Sequence, residues 1–213
     1  MEEFVIGVVS SLAAAGLAVV GGMVLPRRVR SWPTLLLSRA TGLGVSRVHP
    51  RQRVAAADLK AALGKARWVR VLAGRGNELT RDGFAALWDD GGRRLEFVHV
   101  LLPDTDPRSV SWLKWREDEI RRIDPGFAQG MLAEQIELNA GYVSEVAADR
   151  DNIELRRYNL PHLHRIVITD HIAFLTLYRR AGHGRDSPCV VAPRPGLMYD
   201  YALQLFTTAW DHA

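Results

Sequence analysis

The sequence predicts an α/β domain preceded by one N-terminal transmembrane helix. Three observations lead to this fold class. The chain has 213 residues of which 47% are apolar, and this suits the packed core of one ordinary domain. Residues 4–25 carry no charge. From residue 51 onward, segments with helical spacing alternate with short β-type runs. We therefore divide the chain into a membrane anchor at 1–25, a basic juxtamembrane linker at 26–50 and an α/β domain at 51–213.

The predicted anchor is the apolar run of residues 4–25, because a helix needs about 20 residues to cross the hydrocarbon core of a bilayer. A buried core helix and a cleavable signal peptide are the alternatives, although Glu2 and Glu3 are acidic where a signal peptide is basic. Arginines follow the run, so the positive-inside rule places the N-terminus outside and the C-terminal domain in the cytoplasm. The sequence thus predicts a single-pass protein of the cell membrane, with the lipid bilayer as a partner.

The net charge of +4 comes from the linker rather than from the domain. Between Glu3 and Asp58 there are seven arginines and no acidic residue, whereas 21 basic residues face 22 acidic ones from Asp58 onward. A nucleic-acid-binding domain carries its basic footprint on the folded part, so this distribution argues against nucleic acid as a partner. The linker arginines either lie on anionic lipid headgroups or form only a stop-transfer flank.

The cysteine and arginine contents indicate the compartment and the source. Cys189 is the single cysteine, so the chain has no internal disulfide and no cysteine-based zinc site. This composition is typical of a reducing compartment, and we expect neither a metal nor a cofactor. Arginine outnumbers lysine 25 to 3, which is typical of a GC-rich, bacterial genome.

The first predicted strand and the loop after it supply candidate ligand contacts. Helical spacing over residues 51–67 leads into a strand at 68–73, which is followed by the loop GRGNELT and a helix that begins near residues 80–82. Ligands bind outside the carboxyl ends of strands in α/β sheets, and a helix N-terminus offers free N–H groups to an anion. Gly74, Gly76 and Asn77 are therefore candidate ligand contacts. The spacing fits neither a P-loop nor a dinucleotide fingerprint, so an ordinary turn is the alternative.

The remaining predicted elements continue the alternation. A strand at 95–102 ends in PDTDP, whose Asp104 and Asp106 could bind a metal or a ribose hydroxyl but also suit a turn. Helices are predicted at 112–123 and 127–146, and the charges of the first are typical of a solvated face. The polar segment 181–188 suits a lid or a hairpin tip. A strand at 189–192 and a helix at 197–210 close the domain.

Residues 152–179 hold two β-type runs that flank a group of polar side chains. Histidine and carboxylate together suit general acid/base catalysis or metal binding, so His164 and Asp170 are the catalytic candidates. If one strand runs unbroken through this stretch, His162, His164 and Asp170 share a face. The alternative is that these histidines lie at the surface ahead of a buried apolar strand.

The same stretch resembles a motif of the phospholipase D superfamily. From Leu163 to Asp170 the spacing matches H-x-K-x4-D, with Leu163 in the position of the nucleophilic histidine and Arg165 in that of the lysine. The aspartate is kept as Asp170. The resemblance covers residues 51–213 and implies a phospholipase D-like α/β/α sandwich, present as a single half. The small polar segment that follows the aspartate in that family is replaced here by HIAFLTLYRR.

The resemblance implies binding without hydrolysis. The family reaction passes through a covalent phosphoryl intermediate on the histidine, and Leu163 cannot form one. Arginine binds phosphate bidentately, so Arg165 and Asp170 are expected to hold a nucleotide or phosphodiester, or to form a structural pair. The predicted function is a membrane-tethered module for ligand sensing or protein interaction, in bacterial signalling or defence. The alternatives are a homodimeric phosphodiesterase, nuclease or phospholipase whose site a second copy completes, and a structural membrane subunit.

Overall fold

The computed structural model describes residues 38, 40–88, 95–106, 108, 111–161, 163–179 and 182–213. The chain divides into two compact units, 1–41 and 42–213. The second unit contains all the strands of the described residues. They are β1 (Arg47–His49), β2 (Val69–Leu72), β3 (Val98–Pro103), β4 (Ile153–Tyr158), β5 (His164–Thr169), β6 (Ile172–Leu177) and β7 (Cys189–Pro193).

These strands form one seven-stranded mixed sheet in the described chain. Its order is β1-β7-β6-β5-β2-β3-β4. The neighbours β2, β3 and β4 run parallel, whereas β5 pairs antiparallel with both β2 and β6, and β7 pairs antiparallel with β6 and β1. The carboxyl end of β2 therefore lies beside the amino end of β5, with Leu72 opposite Ile166.

Helices cover both faces of this sheet. Valines of β2, β3 and β5 pack in one hydrophobic cluster with residues of four helices, whereas Leu72, Leu101 and Ile166 pack on the opposite face with a fifth helix. This division follows from the strand period of two, which points adjacent residues such as Val71 and Leu72 to opposite faces. The helices are α1 (Ala56–Leu63), α2 (Ala85–Trp88), α3 (Ser111–Ile123) and α4 (Met131–Ala148) on the first face and α5 (Leu197–Asp211) on the second.

The structure corrects the predicted membrane anchor. The predicted span at residues 4–25 lies outside the described residues, and among the described residues no helix is both long and apolar enough to cross a membrane. The 18-residue helix α4 carries Glu134, Glu137 and Glu145. The predictions of a transmembrane helix, a bilayer partner and a single-pass location with the N-terminus outside are therefore not retained.

The predicted fold class, a phospholipase D-like α/β/α sandwich preceded by a transmembrane helix, is corrected as well. The described chain is a mixed α/β unit on a seven-stranded sheet. Strand β1 lies inside the stretch predicted as a linker and pairs with β7. It was not predicted, because three residues, Arg47–His49, are too few to show an alternating pattern. Residues 152–179 form three strands rather than two runs, since the chain reverses at Asp170 and His171 between β5 and β6.

Candidate anion-binding site

A cavity of about 660 Å³ lies at the carboxyl end of β2, on the face of the sheet that packs against α1 to α4. The loop that follows β2, the amino end of β5 and the helix α3 each contribute to its wall. Its lining is partly apolar and rich in arginine. The charged residues of the lining are Arg53, Arg75, Glu78, Arg81, Arg116, Asp124, Arg165 and Arg185. Among the described lining residues, six arginines thus stand beside two carboxylates. Ion pairs link Arg165 to Glu78, Arg116 to Glu119, and both Arg53 and Arg185 to Asp186.

Arg165 is the deepest of these charges. It is on β5, and only 7% of its side chain is exposed. Its Nη1 donates to Glu78 Oε2 at 2.6 Å, and its guanidinium lies 5.5 Å from the ring centre of Phe84. The second terminal nitrogen, Nη2, is buried and has no hydrogen-bond partner among the described residues. A buried donor without an acceptor costs about 1–3 kcal/mol, so this nitrogen favours an acceptor brought by a ligand.

The loop after β2 is held close to the cavity by Asn139 of α4. The Asn139 amide nitrogen lies 2.7 Å from each of three oxygens, the Arg75 carbonyl, the Gln135 carbonyl and Asn77 Oδ1. Gly76 has a φ of +76°, and a Cβ at this position would meet Asn139 Cβ at 3.2 Å. The loop therefore requires glycine at this position for its backbone and for its packing.

Three arginines form a cluster in the wall formed by the β2 loop, α3 and the 182–188 segment. Burial lowers the pKa of Arg75, and the charges of Arg116 and Arg185 lower it further. Arg116 is buried on α3, where Nη1 donates to Glu119 at 3.0 Å and Nη2 donates to the Gly182 carbonyl at 3.2 Å. Each guanidinium remains charged at neutral pH. Arg116 and Arg185 also have carboxylate partners, Glu119 and Asp186.

Tyr178 and His183 supply further polar groups to the lining. Burial raises the pKa of the Tyr178 hydroxyl to about 12, although the charge of Arg165 acts to lower it. The hydroxyl therefore keeps its proton at neutral pH. His183 Nε2 lies 3.7 Å from Asp124 Oδ2. Both side chains can take part in hydrogen bonds to a bound anion.

Glu78 stands between the solvent and Arg165. One carboxylate oxygen accepts from Arg165, and the other accepts from the amide of Gln52 in the turn Gln52–Ala55. The Glu78 side chain is 47% exposed, whereas Gln52 is buried. Glu78 therefore joins three segments of the cavity wall: the turn before α1, the loop after β2 and strand β5.

Four of the predicted ligand contacts lie together. Gly74, Gly76, Asn77 and Arg165 all line the cavity, although they come from positions 74–77 and 165 of the chain. Antiparallel pairing of β2 with β5 brings them together. Ligand binding by these residues stays a prediction.

Asp170 lies at the other end of β5 and is not part of the lining. It is five residue steps along the chain from Arg165, which corresponds to roughly 16 Å of extended strand. Its Oδ1 accepts from the Arg67 backbone N–H at 2.8 Å, and its Oδ2 lies 3.4 Å from Arg67 Nε. The expected pair of Arg165 with Asp170 is therefore not formed.

His164 points to the opposite face of the sheet. It borders a second cavity of about 230 Å³ beside α5, lined largely by apolar side chains such as Leu160 and Leu205. Burial lowers the pKa of His164, which favours the neutral ring. Its predicted partner Asp170 is remote, and His162 lies outside the described residues. The two catalytic candidates are not brought together.

Sequence reasoning missed most of the arginine cluster. Helix α3 was expected to present a solvated face, yet Arg116, Glu117 and Glu119 are buried. Glu117 accepts from the backbone N–H groups of Gly130 and Leu132 and so satisfies free donors at the start of α4. Arg75 lies between Gly74 and Gly76, the two glycines predicted as ligand contacts. This position was the one local feature of the sequence from which Arg75 could have been predicted as a residue of the site.

The predicted turn after β3 is present, and aspartate side chains stabilise it. Asp104 Oδ1 accepts from the Asp106 N–H at 3.0 Å, and Asp106 Oδ1 accepts from the Arg108 N–H at 2.9 Å. Both contacts are turn-stabilising hydrogen bonds of aspartate. Among the residues that the structure describes, no group of three or more histidine, cysteine, aspartate or glutamate side chains could hold a metal ion.

Comparisons with known proteins do not assign a family. No family model matches the chain, and no curated protein matches it. Among solved structures, the chain is similar to TrmBL2, described as an archaeal chromatin protein with a novel mode of DNA binding. The two share 14% sequence identity with a TM-score of 0.46, and the match covers 99% of this chain and 67% of that one.

The sequence-based exclusion of nucleic acid is corrected at this point. The described residues bring six arginines into the lining of one cavity of the folded unit, so that exclusion is not retained. It rested on the balance of charges along the chain, which does not report where those charges lie in space. At this level of similarity, the match gives no argument for DNA binding by this chain.

Proposed function

We propose that the unit at 42–213 binds a phosphate-bearing small molecule in the arginine-lined cavity and does not cleave it. The observation that carries this proposal is the buried guanidinium of Arg165, whose Nη2 has no partner among the described residues. An arginine fork matches the geometry of phosphate oxygens and binds them through charge-assisted hydrogen bonds.

The size and chemistry of the cavity support a small-molecule ligand. Its volume of about 660 Å³ lies within the usual range of ligand pockets, roughly 300–1,000 Å³. Apolar side chains such as Phe84, Phe127 and Leu132 share the lining with the arginines. This combination suits a ligand with an anionic group and an apolar or planar body, such as a nucleotide.

Binding without hydrolysis follows from the absence of a suitable nucleophile at position 163. In the motif that resembles that of the phospholipase D superfamily, Leu163 stands in the position of the nucleophilic histidine, and a leucine cannot form a covalent phosphoryl intermediate. Burial raises the pKa of the Cys189 thiol in the cavity wall, and this disfavours the reactive thiolate. His183 is the one histidine of the described lining, so it is the side chain to test for catalysis.

Calorimetric titration of the full chain with inorganic pyrophosphate tests the proposal. Wild type is expected to bind, and Arg165→Ala is expected to weaken binding by about tenfold or more, because a hydrogen bond to a charged group contributes about 1.5–3 kcal/mol. Arg121→Ala is the matched control, since Arg121 is a half-exposed arginine of α3 outside the lining. Equal binding by wild type and Arg165→Ala, or binding by neither, would contradict the proposal.

A second assay separates binding from catalysis. The full chain is incubated with bis(4-nitrophenyl) phosphate, a generic phosphodiester, and we expect no turnover above the buffer rate. If the chain turns over this substrate and His183→Ala or His164→Ala abolishes the turnover, the protein is a phosphodiesterase and the proposal of binding without cleavage is wrong. General-base assistance is worth about 10²–10⁴-fold, so its loss is easily measured.

A further inference from the structure

We infer that Glu78 is a built-in competitor of the ligand: its carboxylate occupies half of the Arg165 fork, and an incoming anion displaces it. The inference rests on the proposed function and adds the regulation of the same site. The carboxylate of Glu78 is an anion that already satisfies Nη1 of Arg165, at 2.6 Å, while Nη2 is left without a partner in the described chain.

The exposure of the two side chains decides which one moves. Only 7% of the Arg165 side chain is exposed, whereas 47% of the Glu78 side chain is exposed. The buried Arg165 side chain is held on strand β5 against the ring of Phe84, whereas a half-exposed carboxylate exchanges its partner for water at little cost. Glu78 is therefore the mobile partner of the pair, and Arg165 is the fixed one.

Charge also favours exchange over shared occupancy. A phosphate group that binds both terminal nitrogens of Arg165 needs the position that the Glu78 carboxylate holds. Two anions at hydrogen-bond distance from one guanidinium repel each other, and the repulsion is strong in a partly buried site. The other lining arginines attract the phosphate as well, whereas the Glu78 side chain contacts Arg165 and Gln52.

Displacement of Glu78 would loosen a neighbouring contact. The second Glu78 oxygen accepts from the Gln52 amide, and Gln52 begins the turn that leads into α1. The backbone N–H of Gln52 donates to the Ser187 carbonyl at 2.8 Å. This hydrogen bond connects the turn to the segment 183–187, whose first three residues line the cavity. Ligand binding at Arg165 is thus coupled to the turn at 52–55.

Pyrophosphate affinity of a Glu78→Gln variant of the full chain tests the inference. Glutamine keeps the shape and a hydrogen-bond acceptor but removes the competing charge. We expect Glu78→Gln to bind pyrophosphate about tenfold more tightly than wild type, because the ligand no longer replaces a charged hydrogen bond. Glu145→Gln is the matched control, since Glu145 is exposed on α4 and outside the lining.

The outcomes separate the inference from the proposed function. Tighter binding by Glu78→Gln than by wild type, with no change in Glu145→Gln, supports the inference. Equal or weaker binding by Glu78→Gln, while wild type binds, overturns the inference and leaves the proposed function standing. Binding by neither protein overturns both.

Hydrogen exchange on wild type gives a second readout that needs no variant. Addition of pyrophosphate is expected to speed amide exchange at residues 52–55 and 78–81, because the contact between Gln52 and Glu78 is broken. Slower exchange in both segments would mean that the ligand binds without displacing Glu78, and it would overturn the inference.

Discussion

Position 165 differs from its neighbours at 163 and 164 in what each side chain faces. Leu163 precedes β5 and is 61% exposed, His164 faces the α5 side of the sheet, and Arg165 faces the large cavity. The period of two along a strand predicts that His164 and Arg165 point to opposite faces. For the same reason, His164 could replace a nucleophile at position 163 only with a local bulge in the strand.

Asp170 is expected to stabilise the fold rather than to bind the ligand. Asp170→Asn should lower the free energy of unfolding by about 1–2 kcal/mol, because a charged acceptor of the Arg67 N–H becomes neutral. Urea denaturation measures this change, with Asp151→Asn in an exposed turn as the control. Pyrophosphate affinity should not change. A loss of affinity with unchanged stability would return Asp170 to the ligand site.

His99 should make the stability of the protein depend on pH. Its ring stacks between Phe97 and Trp210, with ring centres 4.5 and 4.4 Å away. Burial and then the charge of Arg70 lower its pKa below the ordinary 6.5, so the folded state favours the neutral ring. The unfolded chain binds the proton more readily, and stability is therefore full above pH 6.5 and is lost as pH falls toward the folded pKa.

Urea denaturation at a series of pH values tests this dependence. The free energy of unfolding of wild type should fall between pH 7 and pH 5, and His99→Phe, which keeps the stack, should reduce the slope. His164 contributes in the same direction, because burial lowers its pKa too. A slope that is the same in wild type and in His99→Phe would show that His99 is not the source.

At the scale of single elements, the loop after β2 owes its position to packing that the sequence does not display. Its glycines marked it as a turn beside a strand end, and this was enough to propose Gly74, Gly76 and Asn77. The contact of the loop with Asn139 joins positions more than 60 residues apart. A polar residue in the middle of a helix gives no sign of such a contact in one sequence.

Gly76→Ala should be more costly than Gly130→Ala. Both glycines have positive φ, at +76° and +83°, but only at Gly76 would a Cβ meet close neighbours, with Leu102 Cδ2 at 3.0 Å and Asn139 Cβ at 3.2 Å. Thermal denaturation of the two variants should show a loss of about 1–3 kcal/mol more for Gly76→Ala, which is typical of overpacking. Equal losses would mean that the backbone conformation alone matters and that the loop is not tightly packed.

Strands with clear patterns were predicted, and short or charged elements were not. The runs around β2, β3 and β7 are apolar and bounded by turn residues, so their positions were expected within a few residues. Strand β1 has three residues and was assigned to a linker. The reversal of the chain between β5 and β6 was also not predicted, because the turn residues Asp170 and His171 are neither glycine nor proline.

At the scale of the whole molecule, the balance of charges along the sequence does not show where the charges lie in the folded structure. The domain has nearly equal numbers of basic and acidic residues, yet among the described residues six arginines from positions 53 to 185 line one cavity, together with Glu78 and Asp124. Sheet pairing and the packing of α3 bring these positions together. A single sequence shows neither contact, so the anion site could be predicted at Arg165 but not in its full extent. The proposed homodimer stays a prediction.

The proposed function depends most directly on an anion binding at Arg165. Tungstate is a tetrahedral dianion that mimics phosphate, and tungsten gives a strong anomalous signal in X-ray diffraction. Crystals of the full chain soaked in tungstate should show an anomalous peak inside the cavity, with a tungstate oxygen about 3 Å from Arg165 Nη2 and the Glu78 carboxylate turned away. Tungstate bound only elsewhere on the surface, with Arg165 and Glu78 still paired, would contradict the account.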